Sequence, residues 1–167
     1  MEGPLMLVYG GNDIEVSCVV ATKVVLRELS QIFPEEKNLE DVIVVPTCQK
    51  SAMELVNWGD DSDVEKDRLL EVFVGFAKEV CDTLIAEGFW ADYVDPCSGL
   101  PSIAKNTPTV YDEVASMQTL LKYNVQDAGP CKILLHPKWG SAVYPATLFT
   151  NAPQHNLTEV LKKYHKT

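Results

Sequence analysis

A chain of 167 residues with 46% apolar and 23% charged content has the size and make-up of one globular domain with a real core. Its net charge of −10 argues against nucleic acid as a partner, since phosphate binding needs a basic surface, and it disfavours anionic membrane surfaces. No apolar run approaches the ~20 residues of a membrane span, and five widely spaced cysteines with no CxxC pair make neither a disulfide framework nor a structural zinc site.

The cysteine pattern points to a reducing compartment, and Met1-Glu2-Gly3-Pro4 has the character of neither a secretory leader nor an Arg-rich transit peptide, so a cytoplasmic setting is expected for this chain. Leu5 to Tyr9 and Ile14 to Val20 are β-rich runs around Gly10-Gly11-Asn12-Asp13, which reads as a hairpin loop. Thr22 to Phe33 is helical and must stop before Pro34. Val42 to Val45 is a short buried strand. A long helix from about Val64 to Glu87 follows, with Ser62 and Glu65 as a capping box, an apolar stripe of Leu69, Val72, Phe73, Phe76, Val80 and Leu84, and Gly88 as its terminator.

Phe89 to Val94 reads as a strand, and Asp95-Pro96-Cys97-Ser98-Gly99 as a turn. Val110 to Tyr123 is a further helix. Ile133 to Leu135 and Ala142 to Thr150 are strands, the second weakened by Pro145. Asn156 and Glu159 form a second capping box on a final helix to His165. Asn156-Leu157-Thr158 matches a glycosylation sequon, but a helix start explains it as well. Strands and helices mix without strict alternation, which predicts one α+β domain with a largely antiparallel sheet.

The chemistry centres on Asp127-Ala128-Gly129-Pro130-Cys131-Lys132. Gly-Pro marks a turn and Cys131 opens the strand behind it, where a thiol reaches solvent or a ligand; Lys132 beside it favours the thiolate. Cys81 lies among apolar neighbours on the long helix and reads as core, Cys18 and Cys48 as packing within or beside strands, and Cys97 as an exposed turn residue with nothing to activate it. His136 is an odd number of residues past Cys131, which places the two on opposite strand faces and argues against a nucleophile–base pair; His155 is the remaining candidate base. Asp60 to Asp63 reads as a solvated helix start rather than a calcium loop. Arg27 and Arg68, on predicted helices, make no cationic cluster for a flavin phosphate. The Phe89-Trp90-Ala91-Asp92-Tyr93 segment reads as core packing, and Trp139 as either an interface anchor or a plug at the end of the core.

Several segments resemble a known family. Ala86-Glu87-Gly88-Phe89-Trp90-Ala91-Asp92-Tyr93-Val94-Asp95-Pro96 is long and unusual, and Ile32-Phe33-Pro34-Glu35, Thr47-Cys48-Gln49-Lys50, Ser98-Gly99-Leu100, Gly129-Pro130-Cys131-Lys132, His136 with Trp139-Gly140, and Phe149-Thr150-Asn151-Ala152 accompany it in order. Together they resemble the CblD family of cobalamin trafficking proteins, over roughly residues 14 to 152. The resemblance implies a flavin-nitroreductase-like sandwich, an antiparallel sheet flanked by helices, that has lost its flavin and has no catalysis of its own. It implies cobalamin as the cofactor handled, a CblC-like processing protein as partner, and two downstream branches, to methionine synthase and to methylmalonyl-CoA mutase. It places the cobalt-ligating cysteine at Cys131, with Lys132, His136 and Trp139 as interface candidates. Pro130 stands where the family pattern can carry a second cysteine, so a vicinal dithiol is ruled out. Relatives also carry a longer N-terminal region with a mitochondrial address, so the resemblance is to their C-terminal domain. The rival reading is a flavin-dependent reductase of the same fold; a thiol enzyme using Cys131 with His155 ranks below it.

Overall fold

The computed structural model describes residues 3–56, 59–105, 107 and 109–165, so the first two residues of the N-terminal reading lie outside it. Strands β1 (Leu5–Tyr9) and β2 (Asn12–Val16) form a hairpin; β3 (Val19–Val20), α1 (Lys23–Ile32), β4 (Ile43–Lys50), α2 (Asp60–Ala86) and β5 (Ala91–Tyr93) follow. The chain continues through α3 (Glu113–Leu121), β6 (Asn124–Ala128), β7 (Cys131–Leu135), β8 (Val143–Thr150) and α4 (Gln154–Lys163). The main sheet runs β1-β2-β4-β8-β5 with β3 also on β4, and all its pairs are antiparallel. Strands β6 and β7 make a separate two-stranded sheet.

Alternation along the strands sends their residues to two helical layers. Ile43, Val45, Ala146 and Leu148 face α2 and α4 and join Phe73 and Phe76 in the larger core. Val44 and Phe149 face the other way, toward Leu29 and Ile32 of α1. Farther along that second face, Cys48 and Val143 meet Met117 of α3 and Leu134 of β7. The mixed fold with a largely antiparallel sheet between helices is therefore as the sequence predicts.

Several boundaries differ, each for a local reason. The first hairpin turns on Gly10-Gly11 alone, and Asn12 and Asp13 pair with Tyr9 and Val8 as strand residues. Neither capping box forms. The long helix already starts at Asp60, its first turn supplied with Asp60, Asp61 and Asp63, while the Ser62 hydroxyl is buried without a partner. Glu65 turns away from the helix start to accept from Ala52 N and the Ser51 hydroxyl, and it pairs with Arg68 at 2.6 Å. The last helix starts at Gln154 behind Pro153, which puts Asn156 inside the first turn rather than ahead of it.

Strands β4 and β8 are longer than their proline content suggests, and they lie in the interior of the sheet. The register sets Pro46 opposite Thr147 and Pro145 opposite Cys48. Successive residues of an antiparallel strand point their N–H groups to alternate sides. Pro46 O accepts from Ser17 N, and Thr147 O from Val94 N, so both prolines turn their missing donors away from the β4–β8 ladder. Pro46 then faces the break between β2 and β3, and Pro145 lies past the end of β5, where no ladder bond is lost.

Candidate functional site

Cys131 is exposed at the tip of the β6–β7 hairpin, directly opposite Ala128. Gly129 and Pro130 form the two-residue turn, with Gly129 at φ +63. Glycine at the first central position suits the II′ type of turn, whose twist matches the strands it joins. The sequence marks this turn and β7, but not β6: Asn124–Ala128 is polar and mostly exposed, so it lacks the apolar alternation that signals a strand. Lys132 is also exposed and lies opposite Asp127.

The hairpin is rooted by its inner end. Leu134 is buried against α3 and β8, with Tyr123 and Trp139 packed around it. His136, just past β7, is 3% exposed and faces inward, unlike Cys131. It pairs through its backbone with Gly140, closing a tight loop over Pro137 to Trp139. Trp139 stacks on the His136 ring, with centroids 4.3 Å apart and planes 15° from parallel, so this half-buried indole covers the imidazole.

His136 belongs to a polar cluster that spacing along the chain does not reveal. Its Nε2 lies 2.9 Å from Glu15 Oε2, and the Tyr123 hydroxyl donates to Glu15 Oε1. Cys48 stands opposite Glu15 on β4, its thiol against the Met117 sulfur. Burial pushes the Glu15 carboxyl up, but the hydrogen bonds from His136 and Tyr123 more than offset this and hold it below the usual carboxylate range. Burial, reinforced by the charges of Glu15 and Glu113, raises the Cys48 thiol well above its ordinary value. Cys48 is a buried thiol, not a nucleophile. The available signal in the sequence was a charged residue inside the apolar run Ile14-Glu15-Val16.

Ligand atoms of Glu15, Cys48 and His136 lie within 4.8 Å of one another, a spacing a metal ion could bridge. The imidazole geometry opposes that use. His136 Nδ1 accepts from Lys138 N at 3.1 Å and Trp139 N at 3.3 Å, so in the neutral ring the proton sits on Nε2 and points at Glu15. A metal would need the Nε2 lone pair, which this tautomer does not offer. The cluster is built as a hydrogen-bonded clamp.

Cavities of about 350, 430 and 720 Å³ lie elsewhere on the molecule, and none is lined by Cys131, Lys132, His136 or Trp139. Cys131 itself is exposed at the hairpin tip, and these three cavities are formed by other residues. Cys81 is fully buried, as its helical position predicts, and Cys97 is exposed in the Asp95–Gly99 turn. His155 is exposed on α4. Arg27 is exposed on α1, and Arg68 is engaged by Glu65. No helix among the described residues is long and apolar enough to cross a membrane.

Comparison with known proteins covers nearly all of this architecture. The family model described as methylmalonic aciduria and homocystinuria type D protein matches residues 7–163. A Rattus norvegicus protein named cobalamin trafficking protein CblD is 37% identical over 143 residues, 84% of this chain and 48% of that protein. Proteins of the same name from Mus musculus and Homo sapiens are 36% and 35% identical over the same length. The chain spans about half the length of these relatives, 48% in each case. With a match running from β1 to the end of α4, the chain belongs to the methylmalonic aciduria and homocystinuria type D (CblD) protein family.

Proposed function

We propose that this chain is a non-enzymatic cobalamin trafficking adaptor, working in the cytoplasm, that docks on a cobalamin-loaded CblC-like partner and offers the Cys131 thiolate to cobalt. Family membership supports the cargo, because the relatives are named for cobalamin trafficking. The observation that carries the reading is an exposed cysteine at the tip of a two-residue hairpin turn, on a small sheet separate from the main one. A thiolate is a soft ligand suited to an axial site on cobalt, and an exposed one reaches into another protein's pocket. Lys132 and Trp139 would border the contact, with His136 acting from beneath. The sheet between two helical layers is compatible with a nitroreductase-like ancestry in which the fold no longer holds flavin. Cargo then passes toward methionine synthase and methylmalonyl-CoA mutase.

Visible absorption during titration of the reduced protein into a CblC-like partner loaded with cob(II)alamin tests this. A cobalt–thiolate spectrum is expected with the natural chain and none with Cys131→Ser. Identical spectra from the two proteins would remove Cys131 as the ligand.

A further inference from the structure

One buried carboxylate holds both ends of the hairpin that carries Cys131. Tyr123 immediately precedes β6 and His136 immediately follows β7, so these residues are the hairpin's two roots. Both bond to Glu15, which lies on β2 of the main sheet and is 4% exposed. No strand of the main sheet pairs with β6 or β7. Among the described residues, the side-chain contacts that attach the hairpin are apolar packing around Leu134 and Met117 and the bonds to this carboxylate. Apolar contacts are non-directional and tolerate sliding, whereas hydrogen bonds fix distance and angle. The tautomer of His136 is set from the other side by Lys138 N and Trp139 N, which leaves Nε2–H aimed at Glu15.

We propose that Glu15 is a positioning residue that sets the reach and angle of the β6–β7 hairpin, and through it the place of Cys131. Its purpose rests on the adaptor reading, while the geometry stands without it. Glu15→Ala removes both anchors at once. Glu15→Gln keeps both: the amide oxygen accepts from His136 Nε2–H, and the amide nitrogen donates to the Tyr123 hydroxyl, which can accept.

Hydrogen exchange read by mass spectrometry separates positioning from general destabilisation. In Glu15→Ala the amides of residues 124–135 are expected to exchange about tenfold faster, while those of β4 and β8 keep their protection. Glu15→Gln should restore the hairpin to near the natural rate. In the cob(II)alamin titration, about tenfold more Glu15→Ala protein than natural chain should be needed to reach half of the thiolate band, with the band itself unshifted. Unchanged hairpin exchange in Glu15→Ala, or an equal loss in Glu15→Gln, overturns the proposal. Should Glu15→Ala fail to fold, Tyr123→Phe decides the matter, and hairpin exchange equal to the natural chain's then overturns it. Absence of any thiolate band from the natural chain would sink the adaptor reading while the exchange rates still judge Glu15.

Discussion

Replacement of Asp92 by alanine is expected to lower the free energy of unfolding by about 3–5 kcal/mol, one of the largest single-residue effects in this chain. Asp92 is the middle residue of β5 and is 1% exposed. Its Oδ1 accepts from Tyr93 N at 2.7 Å and Ile103 N at 2.9 Å, and its Oδ2 from Ala104 N at 2.8 Å. One side chain therefore folds the segment after Pro101 back against the edge strand. Alanine would leave three backbone donors without a partner, each costing about 1–3 kcal/mol where water cannot replace it. Asparagine keeps the shape but sets an N–H donor against an N–H donor at one of these contacts, so Asp92→Asn should cost about 2 kcal/mol. Urea denaturation followed by circular dichroism measures both. An Asp92→Ala midpoint equal to that of the natural chain would show that the carboxylate does not hold this segment.

A rise in pH from about 4.5 to 8 should weaken the fold through Glu113. This residue opens α3, and its Oε1 is sealed from solvent without a hydrogen-bond partner. Burial pushes its carboxyl up to about 8, against the opposing effect of hydrogen bonds from the hydroxyl and backbone N–H of Thr147. A carboxyl raised in the folded state is stabilising while protonated, and its contribution is complete below the unfolded value of 4.5. As pH rises through 4.5 the unfolded chain gives up its proton while the folded chain keeps it. Stability then falls with pH until the folded group also ionises near 8, a loss on the order of 4 kcal/mol across that window.

Glu113→Gln, which cannot ionise, should remove this slope. Denaturation curves for both proteins between about pH 5 and 9 give the comparison. A natural chain whose stability holds level with the variant's would mean that Glu113 is ionised in the fold. Glu15 and Glu65 act with the opposite sign. Hydrogen bonds from His136 and Tyr123 outweigh burial at Glu15, the Arg68 hydrogen bond dominates at Glu65, and both carboxyls are lowered. Their contributions are present above the unfolded carboxylate value and disappear as pH falls through the folded one.

What the sequence reveals of this molecule depends on how local the cause is. The first helix is legible at both ends: Thr22 accepts from Val25 N, and Phe33 closes the helix just before Pro34. The stripe of α2 is legible because one face meets one core. Its start is not, since Glu65 is drawn away by Ala52 and Ser51, more than ten residues upstream. Strands β4 and β8 look interrupted because a proline within a strand ordinarily removes a ladder bond; only the position of neighbouring strands shows that Pro46 and Pro145 face gaps. Cys131 is legible from its own turn. The clamp beneath it is assembled from β2, the segment before β6 and the loop after β7, and no spacing along the chain announces such a meeting.

That assembly has a kinetic consequence. The β6–β7 hairpin is a local structure closed by a two-residue turn, the kind of element that forms within microseconds. The bonds from Glu15 to Tyr123 and His136 span 108 and 121 residues, and contacts of that separation must await the closing of long loops. During synthesis or refolding, then, the thiol is displayed long before it is aimed. If Glu15 positions Cys131 as proposed, only a chain that has brought its N-terminal strands into the sheet holds that cysteine in place, and its presentation then reports completion of the fold.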